Sequence, residues 1–203
     1  MSEFAQAWGA VVSTVKAHCY QKWELPFFLS YAISTMPPGL RPQAVEVAWE
    51  LDPASMAHAF NKNLCYLLPK EAPALFTKLT EQLAENQQLL RQIVPAAREL
   101  IARSPNCSPS LLAVFGRKST GTTLVNTCDN RSTPPDILRA IYQRLMRRRS
   151  EQRPRWVTDA LMAIAHNPNT PDDVLMGLLF DTGARVREAA QIALAQRQKT
   201  QVA

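Results

Sequence analysis

The sequence predicts an all-α fold: an irregular N-terminal helical bundle followed by a short right-handed α-solenoid. Three observations lead there. A ten-residue motif recurs along the second half, each time as a polar, proline-rich turn running into an apolar helical pattern. The chain holds 15 prolines against 6 glycines, which suits many helix starts and stiff corners. No segment sustains alternation of apolar and polar residues, so no strand is expected.

Taken in order, Phe4, Ala7, Trp8, Val11, Val12, Val15 and Cys19 recur at three- and four-residue spacing and share one helix face. Leu25 to Met36 is apolar nearly all round and belongs at the centre of the N-terminal core, until Pro37, Pro38, Gly39 and Pro42 stop it. A short helix over Gln43 to Leu51 turns Val45, Ala48 and Trp49 inward. Asp52 and Pro53 then supply a cap and a first-turn proline, starting a helix that runs to about Leu68. Pro69 to Pro73 breaks the chain. Leu75, Leu79, Leu83, Leu90, Ile93 and Val94 mark one long amphipathic stretch beyond it, with Glu81, Glu85, Asn86, Gln87 and Gln88 facing water. Pro95 begins a new helix or kinks this one. The bundle is therefore assigned to residues 1–97 and the repeat region to 98–203.

The repeat is clearest at His166-Asn167-Pro168-Asn169-Thr170-Pro171-Asp172-Asp173-Val174-Leu175. Asp129 to Leu138 aligns beneath it without a gap, and Arg103 to Leu112 aligns more loosely. Thr170 and Thr133 are expected to be helix N-caps, Pro171 and Pro134 to occupy the first helical position, and Asp173 and Asp136 to sit near the positive dipole end. Cys107 and Ser108 take the threonine and proline places in the first copy. The offset from Cys107 to Thr133 is 26 residues and from Thr133 to Thr170 is 37, so the second unit carries an insertion. Repetition of this kind stacks units that cannot bury their apolar faces alone. The run Asn-Pro-Asn-Thr-Pro-Asp-Asp-Val-Leu, with Ala184-Arg185-Val186-Arg187-Glu188-Ala189-Ala190 after it, resembles the variant leucine-rich repeat, an all-helical relative of HEAT repeats. Some members of that family carry an iron–sulphur cluster in an N-terminal cysteine cluster, and this chain has no such cysteine cluster.

The insertion holds Arg144, Arg147, Arg148, Arg149, Arg153 and Arg155, six arginines within twelve residues, diluted only by Glu151. One reading is a solvated helix end whose arginines favour the negative dipole end. The other is a contact site for phosphate or for an acidic protein surface, which the guanidinium fork binds bidentately. Arg185, Arg187, Arg197 and Lys199 could extend it. The whole chain carries +6, attractive to anionic partners yet far from a dedicated nucleic-acid coat.

Motifs for chemistry are scarce. Cys19, Cys65, Cys107 and Cys128 are scattered and read as core residues in a reducing compartment, with neither metal nor disulfide expected. His18, His58 and His166 are too separated for a relay. Gly116-Arg117-Lys118-Ser119-Thr120-Gly121 lacks the first glycine and the leading strand of a phosphate loop. Asp172-Asp173 is explained by its place at a helix start, and Trp8, Trp23, Trp49 and Trp156 by core or groove packing. The start Met1-Ser2-Glu3-Phe4 carries no basic n-region, and no apolar run reaches the ~18 residues of a membrane span, so a cytoplasmic protein without cofactor is expected.

These features point to a non-enzymatic protein-binding module, an adaptor or an inhibitor by stoichiometric occupation, with nucleic-acid binding through the arginines as the alternative. In size, cytoplasmic character and helical-repeat tail the chain looks like the small fertility-inhibition proteins carried by conjugative plasmids. That resemblance implies a specific partner, the coupling ATPase of a rival plasmid.

Overall fold

The computed structural model describes residues 2–19, 21, 24–147 and 153–202, with the backbone alone at 62, 63 and 200–202. Among these residues every regular element is a helix. The chain divides into two compact units, Met1–Ile101 and Ala102–Ala203.

In the first unit α1 (Glu3–His18) opens with Ser2 as its cap and packs on α3 (Arg41–Leu51), where the Trp8 indole donates to the Ala44 carbonyl at 2.9 Å. Trp8 also stacks on Phe28 of α2 (Glu24–Thr35), a helix buried along Leu25, Leu29 and Ile33. Asp52 caps α4 (Pro53–Ala59) as expected, accepting from Ser55 N at 3.1 Å with Pro53 in the first turn. The helical path then widens into a π turn over Phe60–Leu64 and continues as α5 (Cys65–Glu71). Pro69 therefore lies inside a helix, and the break expected there falls at Ala72. The long amphipathic stretch is also two helices, α6 (Pro73–Glu85) and α7 (Gln87–Gln92). Asn86 parts them because its side chain accepts from Gln88 N and Leu89 N, giving the backbone a local alternative to continuing the helix. Phe60 joins Trp49 edge-on at 5.6 Å and Phe76 face-on at 6.3 Å, which places the aromatic core at the π turn. α8 (Pro95–Arg103) starts at Pro95, and its Arg98 donates back to the Ile93 and Leu90 carbonyls that close α7.

The second unit contains α9 (Pro109–Lys118), α10 (Gly121–Asp129), α11 (Pro135–Arg147), α12 (Arg155–His166), α13 (Asp172–Leu178) and α14 (Ala184–Val202). Alternate helices stack, α10 on α12 and α12 on α14, while α9 lies on α11. Gly116 permits that last approach, since a Cβ there would sit 3.0 Å from both Ile137 and Ile141. The core between the layers includes Leu124, Leu138, Ile141, Leu161, Ile164 and Leu175.

The recurring turn has one hydrogen-bond plan. Asn167 donates from its side-chain amide to the carbonyls of Cys128 at 2.7 Å and Asn130 at 2.9 Å. One turn earlier, Asn130 donates to Ala102 and Ser104, both at 2.7 Å. Each asparagine also accepts, through Oδ1, from the amide two residues on, Asn169 in one case and Ser132 in the other. Ser104 holds the equivalent place in the first copy and accepts from Asn106 N. The three turns are thus tied by a buried ladder of side-chain amides on backbone carbonyls, and few such carbonyls could otherwise be satisfied at a helix end.

Helix starts correct the expected register by one residue. Thr133 and Thr170 do not cap the helices that follow; their hydroxyls donate backwards to Thr127 O and Ile164 O, in the last turn of α10 and of α12. Pro134 and Pro171 stand at the cap position and accept the first helical bonds with their carbonyls, so Pro135 and Asp172 are the first helical residues. Only the first copy has a side-chain cap, Ser108, which accepts from Leu111 N at 3.2 Å. Thr133 and Thr170 are themselves buried, and the backward bond gives each hydroxyl an acceptor inside the core; the Ile164 carbonyl shares itself between the Thr170 hydroxyl and the Asn167 amide.

Candidate functional site

α11 buries Leu138, Ile141 and Leu145 and turns its arginines along the opposite flank and the end of the helix. Of the four arginines among the described residues, two are engaged by the fold. Arg144 donates to the Arg117 carbonyl at 2.6 Å and to Ser119 O at 3.0 Å, closing the C-terminal end of α9. Arg153 meets both carboxylate oxygens of Asp181 at 2.8 and 2.9 Å, and Asp181 is fully buried. Arg147 ends α11 in solvent, and Arg155 is exposed, with Asp159 one turn on at 3.8 Å. Arg148 and Arg149 lie outside the described residues, as do Trp23 and Glu151.

Two contacts set α11 beside α13 in parallel register. Arg139 pairs bidentately with Asp173 at 2.9 and 2.8 Å, and Tyr142 lies so close to Gly177 that a Cβ there would fall 2.3 Å from its hydroxyl. That register brings the end of α11, at Arg147, toward the turn after α13 that holds Phe180. Phe180 is 83% exposed and Met176, one turn before it, is 51% exposed. Met176 lies off the face of α13 that buries Val174, Leu175 and Leu178, and Phe180 lies in the turn just past the helix end.

The ends of α9, α11 and α13 and the starts of α10, α12 and α14 meet at one edge, because short connections join them in pairs and Arg144 and Arg153 bridge successive pairs. Charge collects in this unit. Residues 102–203 hold 15 Lys and Arg against 8 Asp and Glu, whereas residues 1–101 hold 8 against 9, so the second unit carries +7 and the first −1. At the opposite edge Asp172 and Asp173 are each paired, with Arg197 and Arg139. The Arg139 hydrogen bond holds the Asp173 carboxyl below its usual range, and Asp173 in return raises the guanidinium. Neither aspartate is placed as an acid–base couple.

Among the described residues no three His, Cys, Asp or Glu side chains gather as a metal site, and no helix is long and apolar enough to cross a membrane. Burial pushes the Cys65 thiol up to about 11 and raises Cys107 and Cys128 further, so these three are poor nucleophiles at neutral pH. The glycine-bounded run after α9 is a helix-to-helix corner: Ser119 N donates to Phe115 O, and Gly121 starts α10 at φ 60°.

Sequence reasoning located the arginines and missed Met176 and Phe180. The available signal was their four-residue spacing, off the Val174-Leu175-Leu178 stripe. Comparison of the chain with protein-family models, with curated proteins and with solved structures found no match.

Proposed function

We propose that the protein acts by stoichiometric binding to another protein, as an adaptor or inhibitor, through the edge of its second unit. The observation that carries this reading is the pair Met176 and Phe180, large apolar side chains held in solvent at the edge where α11 ends in the exposed Arg147. An aromatic anchor rimmed by arginine is the composition that binding hot spots favour. The recurring turn supports a right-handed solenoid of variant leucine-rich, HEAT-like repeats, an architecture whose exposed faces serve as docking surfaces. Within this reading, the resemblance to plasmid fertility-inhibition proteins names a conjugative coupling ATPase as the partner.

The test is a mating assay in cells that express the protein, alongside gel filtration with the soluble part of the coupling ATPase. Transfer should fall and the two proteins should co-elute in a fixed ratio, and Phe180→Asp should restore transfer without lowering protein level. Undiminished transfer together with separate elution refutes the ATPase as partner. Nucleic-acid binding is the second reading, favoured by the +7 of the second unit. It calls for DNA affinity that persists at roughly physiological salt, about 0.15 M, with a slope reporting several released counterions.

A further inference from the structure

We infer that the partner segment taken by this edge is acidic: a large apolar side chain covers Phe180 and Met176 while flanking carboxylates meet Arg147, Arg155 and Arg185. The inference rests on the protein-binding reading above and adds the partner's chemistry.

Phe180 is exposed because of how its neighbours are fixed. Leu178 is fully buried in the core. Asp181, 3% exposed, is turned inward to Arg153, and its Oδ1 also accepts from Gly183 N at 2.8 Å. Arg187 closes the same corner by donating to the carbonyls of Asp181 and Thr182 at 2.8 and 3.0 Å. With the chain pinned on both sides, Phe180 has no route into the core. A side chain presented from so fixed a frame loses little backbone freedom on docking.

The charges around it lack internal counterparts. Arg147 and Arg185 are exposed and enter no ion pair among the described residues. Arg155 has only Asp159, at 3.8 Å and with its own guanidinium 92% exposed. Asp181 is spent on Arg153, and Glu188, three residues past Arg185 on α14, enters no ion pair among the described residues. A carboxylate-rich segment complements this rim, and the planar guanidinium binds carboxylates with two parallel bonds. The apolar pair favours protein over nucleic acid. Phe180 is the one exposed aromatic side chain among the described residues of the second unit, and Met176 beside it offers no plane on which a base could stack.

The experiment is selection from a displayed library of random peptides against the full-length protein, with the Phe180→Asp variant, a combined Arg147→Glu, Arg155→Glu, Arg185→Glu variant and a labelled single-stranded DNA run in parallel. Circular dichroism confirms that each variant folds, which is expected since all four side chains are exposed. Enriched peptides should combine Asp or Glu with Phe, Leu or Trp and should lose at least about tenfold in affinity for either variant. Enrichment of neutral or basic peptides that still depend on Phe180 overturns the acidic assignment and leaves the protein-binding reading standing. Enrichment indifferent to both variants overturns the edge as the docking site. No enrichment overturns both readings, and DNA binding that depends on the same arginines then assigns the edge to nucleic acid.

Discussion

Replacing Asn167 tests the ladder of turns most directly, because the cost can be worked out bond by bond. Asn167→Ala removes two donated bonds and one accepted bond at a site 2% exposed. The Cys128 carbonyl is then orphaned, because the Ser132 amide four residues on is already given to Asn130 Oδ1. A buried carbonyl left bare costs about 1–3 kcal/mol. The Asn130 carbonyl keeps Thr133 N, so its loss is one bond of about 1 kcal/mol, and half-buried Asn169 N can turn to water for less than that. The sum is about 3 kcal/mol, a large share of the stability of a unit this size. Asn167→Asp sharpens the test. It keeps the acceptor for Asn169 but sets a second oxygen against two carbonyl oxygens unless it is protonated. Its carboxyl should therefore titrate above the ordinary value of about 3.9 in the folded state. A folded pKa raised above the unfolded one means that the folded state binds more protons. Stability relative to the native chain therefore falls as pH climbs from about 4 through the raised pKa, then levels off. Urea unfolding followed by far-ultraviolet circular dichroism at several pH values reads both effects. A cost for Asn167→Ala below about 1 kcal/mol, or an Asn167→Asp deficit that does not move with pH, would refute the ladder as a stabilising device.

Other expectations follow from the same bonds. Thr170→Val should cost about 1 kcal/mol by removing one of the two bonds to the Ile164 carbonyl, which keeps the Asn167 amide, whereas Thr170→Ser should cost less; equal losses in urea melts would mean that packing of the methyl decides the matter. Arg153→Gln leaves the buried Asp181 carboxylate without its cation and should destabilise by about 3 kcal/mol, with Asp181→Asn in the same chain recovering part of the loss. Under a thiol-labelling reagent at neutral pH, Cys19, the least buried of the four, should react first and Cys107 and Cys128 only on unfolding. Cys65 should gain reactivity only as pH nears about 11, and prompt labelling of Cys128 in the native protein would contradict its burial.

Much of the fold was legible because apolar spacing and caps are local. The stripe from Phe4 to Cys19 and the run from Leu25 to Met36 mark α1 and α2 to within a residue or two, and Asp52-Pro53 marks the start of α4. The π turn at Phe60–Leu64 was not legible, since nothing in Phe-Asn-Lys-Asn-Leu departs from a helical pattern; Asn61 there reaches Gln92 and Val94, more than thirty residues on. Thr-Pro before an apolar run fits a threonine cap and a proline cap equally well on local grounds. The choice is made by a carbonyl on the preceding helix, which the local pattern does not reveal. The arginines show the same limit. Their charge is plain in the sequence, but what separates Arg144 and Arg153 from Arg147 and Arg155 is an acceptor that only folding brings near.

The ladder of turns has a direction. Every rung reaches back toward the N-terminus: Asn167 reads the turn at Asn130, and Asn130 reads the turn at Ser104. Ser104 ends the series, since its hydroxyl accepts from Asn106 N and carries no amide to send further back. Loss of segments is therefore asymmetric. Removing the chain beyond α11 would leave the bonds of Asn130 whole, while removing the chain up to Ser104 would strip Asn130 of both acceptors and leave those of Asn167 intact. A serine at this place works as a terminator and an asparagine as a coupler, so the choice between two small polar side chains states where an array of such turns begins.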